Sequence, residues 1–207
     1  MNSLAKLFGA LSIIMLFFIT SCASTKVVGE WKDPNVTAKK FKKIMVIGVA
    51  KQPDDRRACE EEFVRQLNAK GVMAIASHKY IPRDKMRDRE TITKNIEGLG
   101  IDGVIITRLK EVKDKKQFFG ENDKIPYDNY NNMYEYYNSS FVIAPSSRTR
   151  NPTNYQKFGF ESNLYDTKTE KLVFSLASNT YAQDNIHKRL GSYIKTVVNK
   201  LSQNNLL

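Results

Sequence analysis

The sequence predicts an α/β fold. One domain is expected, with β-α-β-α-β followed by an antiparallel β-hairpin and a C-terminal helix, giving a mixed five-stranded sheet with helices packed on it. Three observations carry this reading. Short continuous apolar runs alternate with helical amphipathic patterns between residues 41 and 109. The hydrophobic period then changes to two around residues 157–181. The chain closes on an apolar stripe at helical spacing, Ile186, Leu190, Ile194, Val197 and Leu201. With 207 residues, 41% hydrophobic and 27% charged, the composition is that of a globular protein rather than a disordered or polytopic membrane chain.

Each element has its local cause. Ile44–Ala50 (IMVIGVA) lacks polar alternation, as befits a strand buried on both faces. Pro53-Asp54-Asp55 starts a helix that sets Cys59, Phe63 and Leu67 on one side, and Gly71 ends it. Val72–Ser77 is a second apolar strand. Asp88 caps a second helix carrying Ile92, Ile96 and Leu99, which Gly100 ends. Gly103–Leu109 is the third strand, and crossovers of this length imply parallel pairing. Gly100 and Gly103 are both expected to use positive φ. In the hairpin, Phe158, Phe160, Ser162 and Leu164 face a core while Lys157, Gly159, Glu161 and Asn163 alternate away from it. Asp166-Thr167-Lys168-Thr169 makes the turn.

The amino terminus reads as an address. Residues 1–21 are expected to be a signal peptide, because the 13-residue apolar run Leu7–Ile19 is too short to span a bilayer. Ile19-Thr20-Ser21-Cys22 resembles the bacterial lipobox, which implies cleavage before Cys22 and its lipidation. Ala23 is not the aspartate associated with retention in the inner membrane of enteric bacteria. The expected location is therefore the bacterial cell envelope, lipid-anchored, at the outer membrane facing the periplasm. Residues 22–40 are read as the lipidated N-terminus and a tether, with a short extended piece at Val27–Trp31, and residues 41–207 as the α/β domain. Cys59 is expected to be core filler.

A Tyr- and Asn-rich insertion at about 113–155 interrupts the pattern. It reads either as a variable surface loop or as a contact surface, since tyrosine joins a large rigid apolar area to a hydroxyl. The "LGIDGVIITRL" and "NLYDTKTEKLVFSL" phrases, and Trp31-Lys32-Asp33-Pro34 before "KKIMVIGVA", resemble small uncharacterised bacterial envelope lipoproteins. Their α/β domain is similar to the group of the curli-secretion lipoprotein and the TolB amino-terminal domain. The resemblance implies an α/β fold and an envelope setting, and it assigns no catalytic residue.

Chemical motifs are missing. There is no G-x-S-x-G, Walker A, G-x-G-x-x-G or H-E-x-x-H, and Gly48 stands alone. Two histidines and two cysteines offer little for a metal centre, so no enzyme activity, cofactor or metal is expected. The acidic run Glu60-Glu61-Glu62 sits among Arg56, Arg57 and Arg65 and reads as a solvated, ion-paired helix face. The net charge of +11 gathers in clusters at 39–43, 83–89 and 110–116. Export argues against nucleic acid, leaving anionic lipid, acidic glycan or another envelope protein as partners, besides the membrane itself through the N-terminal lipid. Loops leaving the carboxyl ends of parallel strands share one edge of the sheet. The candidate partner-binding edge is therefore Lys51, Arg56, Arg57, Tyr80, Arg83, Tyr127, Tyr130, Tyr134, Tyr136 and Tyr137. The expected function is a lipid-anchored, non-enzymatic binding module. The alternative is an oligomeric secretion or envelope-assembly component resembling the curli-secretion lipoprotein.

Overall fold

The computed structural model describes residues 25–36, 39–114, 132–143, 156–182 and 186–207. Six strands, β1 (Thr25–Lys32), β2 (Lys43–Val49), β3 (Met73–Ala76), β4 (Gly103–Asp114), β5 (Gln156–Asp166) and β6 (Leu172–Ala182), form one mixed sheet in the order β1-β6-β5-β4-β2-β3. β2, β3 and β4 are parallel, and the β4-β5-β6-β1 half is antiparallel throughout. The α/β fold holds, with six strands in place of five. The sixth comes from the segment read as a tether with a short extended piece: Thr25–Lys32 pairs with β6, from Thr25↔Thr180 to Lys32↔Phe174, with an irregularity between Val27 and Gly29.

Helices cover both faces. On one, α1 (Pro53–Asn68) and α4 (Ile186–Gln203) bury Cys59, Phe63, Leu67, Leu190, Ile194, Val197 and Leu201 against Ile44, Val46, Ile105, Phe160 and Leu164. On the other, α2 (Arg89–Gly98) and α3 (Met133–Ile143) pack against Met45, Ile47, Val104, Ile106 and Tyr165. The alternation along β2 explains its all-apolar sequence, since every side chain from Ile44 to Ile47 is buried on one face or the other. Asp88 caps α2 by accepting from the Glu90 amide, and Gly71 and Gly100 end their helices at φ +80 and +63.

Gly103 departs from expectation. It has no positive φ. A Cβ there would lie 2.5 Å from Phe41 Cδ1, so the residue is glycine to admit that ring. The hairpin departs too, for both of its faces are buried: Glu161 and Asn163 are fully enclosed. The cause is α3, a helix inside the insertion, which lies over the second face of the sheet and supplies Met133, Tyr134, Tyr136 and Tyr137 to its core. Three tyrosines of the expected surface thus belong to the interior, with 6%, 1% and 2% exposure for Tyr134, Tyr136 and Tyr137.

Candidate functional site

β2 and β4 end side by side, with Val49 opposite Arg108, and the loops at 50–52 and 77–88 gather beyond them. Lys51, Arg57, Tyr80 and Arg83 are all exposed at this end. Arg83 Nη2 donates to the Lys51 carbonyl at 2.8 Å, which fixes the 77–88 loop against the end of β2. Tyr80 is 43% exposed, unusual here for a large aromatic side chain. Beside them lies a cleft of about 40 Å³ lined by Gly48, Lys51, Asp55, Cys59, Leu109 and Leu190, among others. That volume holds a few waters rather than a drug-sized ligand.

Arg56, expected at this edge, turns inward instead. Its Nε donates to Glu60 Oε1 at 2.8 Å and its Nη2 to Ser77 Oγ at 2.8 Å, and it is 6% exposed. Glu60 is the hub. Oε1 also accepts from the Gly48 amide (3.0 Å) and Ser77 Oγ (2.7 Å), while Oε2 accepts from the His78 amide and pairs with His78 Nδ1, both at 2.7 Å. The solvated reading of the acidic run therefore fails at Glu60, which is fully buried; Glu62 keeps it, paired to Arg65 at the surface. Gly48 explains why. A Cβ on it would press on the Arg56 carbonyl at 3.3 Å and Glu60 Cγ at 3.4 Å, so glycine lets α1 approach β2 closely enough for the carboxylate to reach the strand amide. The arrangement joins β2, α1 and the 77–79 turn through an ion pair whose polar atoms are spent on one another.

Two more buried polar sets escaped the sequence reading. Glu161 Oε1 accepts from Tyr136 OH at 2.7 Å and from Arg108 Nη2 at 3.3 Å, and the Arg108 guanidinium lies 4.9 Å over the Tyr136 ring. On the opposite face Thr107, Ser162 and Tyr193 form a hydroxyl chain with links of 2.6 and 2.5 Å. Burial, with Glu161 nearby, pushes the Tyr136 hydroxyl well above its usual range, so it stays a donor. Burial, with the Glu60 and Asp55 carboxylates, likewise keeps the Cys59 thiol protonated and so a poor nucleophile. Arg108 and Glu161 face each other across β4 and β5. The one available signal was an arginine following the apolar run Val104–Ile106 of β4.

Of the candidate edge, then, Lys51, Arg57, Tyr80 and Arg83 come together at the surface. Arg56, Tyr134, Tyr136 and Tyr137 are interior. Tyr127, Tyr130 and Cys22 lie outside the described residues. Among the described residues no cluster of His, Cys, Asp and Glu is able to hold a metal, and no helix is long and apolar enough to cross a membrane. The geometry that remains is a cationic edge with one exposed aromatic ring, suited chemically to anionic groups.

No family model and no curated protein matches the chain. Solved structures do. It is similar to a dodecamer of a PelC variant from Paraburkholderia phytofirmans, at 13% identity over 89% of this chain and 100% of that one, with a TM-score of 0.50. A second PelC dodecamer from the same organism matches at 13% identity over 89% and 99%, with a TM-score of 0.48. Lipoprotein GNA1162 from Neisseria meningitidis matches at 13% identity over 78% and 98%, with a TM-score of 0.42. What the chain has in common with PelC is the fold, along nearly the whole length of both.

Proposed function

We propose that this chain is a lipid-anchored module of the bacterial envelope that works by binding rather than by catalysis. The observation that carries it is the apolar run Leu7–Ile19 closing on Ile19-Thr20-Ser21-Cys22, two residues ahead of the first strand. The fold it has in common with PelC supports the reading. So does the use of four of the buried charged groups, Arg56 with Glu60 and Arg108 with Glu161, as partners for one another. Labelled fatty acid should enter the wild-type chain and not Cys22→Ala, and that variant should leave the membrane fraction. Unchanged labelling in the variant would sink the proposal. Density fractionation then assigns inner or outer membrane, with the outer membrane expected.

A second reading is an oligomeric envelope-assembly component. It is favoured by the likeness to PelC, which forms a dodecamer, and by two sheet edges, β1 and β3, that pair on one side only among the described residues. Native mass spectrometry in detergent separates the readings: a discrete ring mass supports the second, and a monomer at micromolar concentration removes it.

A further inference from the structure

The register fixes which end of the domain the lipid would hold. Only Ala23 and Ser24 separate Cys22 from Thr25, so the cysteine lies within about 10 Å of the start of β1 whatever path the chain takes. Thr25 pairs with Thr180, Thr180 with Phe158, and Phe158 with Val112 near the end of β4. β4 and β2 are parallel. The anchored end of β1 is therefore the end at which β2 and β4 finish, where Lys51, Arg57, Tyr80 and Arg83 are exposed.

We infer that this end of the sheet lies against the membrane and takes anionic lipid headgroups as its ligand. The inference rests on lipidation at Cys22 and deepens the proposal above by naming the partner of the cationic edge. Two well-separated points of contact support it. β1 and β3 are the two edges of a six-stranded sheet, about 24 Å apart at the usual strand spacing. The lipid holds the β1 side; Tyr80 and Arg83, on the loop after β3, reach the surface on the other. Val112 lies three paired positions past Arg108 once the irregularity in β4 is allowed for, which puts Thr25 about 10 Å beyond the end of β2. A modest tilt of the sheet brings both points level.

The chemistry matches an interface. Lys26, Lys51, Arg57 and Arg83 are exposed at this end, against exposed Asp54 and Asp84 and the half-buried Asp55. Tyr80 offers an apolar ring with a polar tip, the side chain that settles at headgroup level. The opposite end of the sheet is also basic, with Lys40, Lys42, Lys168 and Lys171, so charge alone does not choose between the ends. The tether does.

The test uses the full acylated chain on vesicles of phosphatidylcholine mixed with phosphatidylglycerol and a headgroup-attached quencher. Reporter dyes go on Asp84→Cys, at the inferred contact, and on Lys168→Cys, at the far end; both positions are exposed. Quenching should be several-fold stronger at 84 than at 168. Lys51→Glu with Arg83→Glu should weaken the contact read as quenching at 84, by roughly five-fold for each unit of charge changed, and leave acylation intact. Lys40→Glu with Lys42→Glu should change nothing. Equal quenching at both reporters, or indifference to the Lys51 and Arg83 reversals, overturns the inference while the anchor stands. A wild-type chain that takes up no fatty acid and leaves the vesicles removes the anchor itself, and the inference with it.

Discussion

Glu60 accepts five hydrogen bonds from four residues with no contact to solvent. Truncating it strands the Arg56 guanidinium in the interior, and breaking a buried pair from one side costs about 3–5 kcal/mol. Glu60→Ala should lower the urea midpoint accordingly, and a loss below about 1 kcal/mol would show that the network is not a stabilising hub. Tyr136→Phe tests the second network at constant shape. It removes only the hydroxyl that donates to Glu161, so a loss of about 1–3 kcal/mol is expected. Asp166 supplies a pH dependence. Partial burial raises its pKa, but the Lys39 ammonium and the Lys168 and Thr169 amides outweigh burial and hold the carboxyl below its ordinary value. A carboxyl lowered in the folded state stabilises above its unfolded pKa, about 3.9, and that contribution is lost as pH falls through the folded value. Stability measured from pH 6 downward should fall below about pH 4, and Asp166→Asn should flatten that part of the curve.

At the scale of elements, Gly103 gives the sharpest test. Gly103→Ala drives a methyl into the Phe41 ring and should cost about 1–3 kcal/mol. Adding Phe41→Leu should recover part of that loss; additive losses in the double variant would rule out the ring as the cause. The elements themselves divide by how local their causes are. The parallel strands, α1, α2, the hairpin and α4 were legible because period, caps and turn residues lie within each segment. β1 was legible only as a short extended piece, Val27–Trp31, since its place as a sheet edge depends on pairing with residues about 150 positions away. α3 was not legible. Its tyrosines read as a surface because nothing local reveals that the second sheet face needs a cover, and without that cover Glu161 and Asn163 look like solvent positions. The candidate site was legible in part for the same reason: exposed Lys51, Arg57, Tyr80 and Arg83 follow from topology, whereas Arg56 and Glu60 turn inward through the close approach that Gly48 allows.

Over the whole molecule, the C-terminal residues lock onto the end of β1 and the approach to β2 at the foot of the sheet. The Leu206 carbonyl accepts from the Phe41 amide at 2.8 Å, and its side chain is 1% exposed. Lys32 Nζ donates to the Asn204 carbonyl at 3.0 Å, and Lys200 pairs with Glu30 at 2.8 Å. The last residues therefore close the core beneath β2. Leu206→Ala should cost about 2–4 kcal/mol in denaturant melts, far more than a frayed tail allows. A loss within about 0.5 kcal/mol would place the tail outside the cooperative unit.

The pairing of β1 with β6 also has a mechanical consequence. Ladder hydrogen bonds run perpendicular to antiparallel strands. A pull upstream of Thr25 that runs outward along the strand axis loads the pairing from Thr25↔Thr180 to Lys32↔Phe174 in shear rather than rung by rung. Tension entering at the amino terminus thus meets the sheet in its strong direction, and β1 serves as a splice that passes the load to β6 and the core behind it.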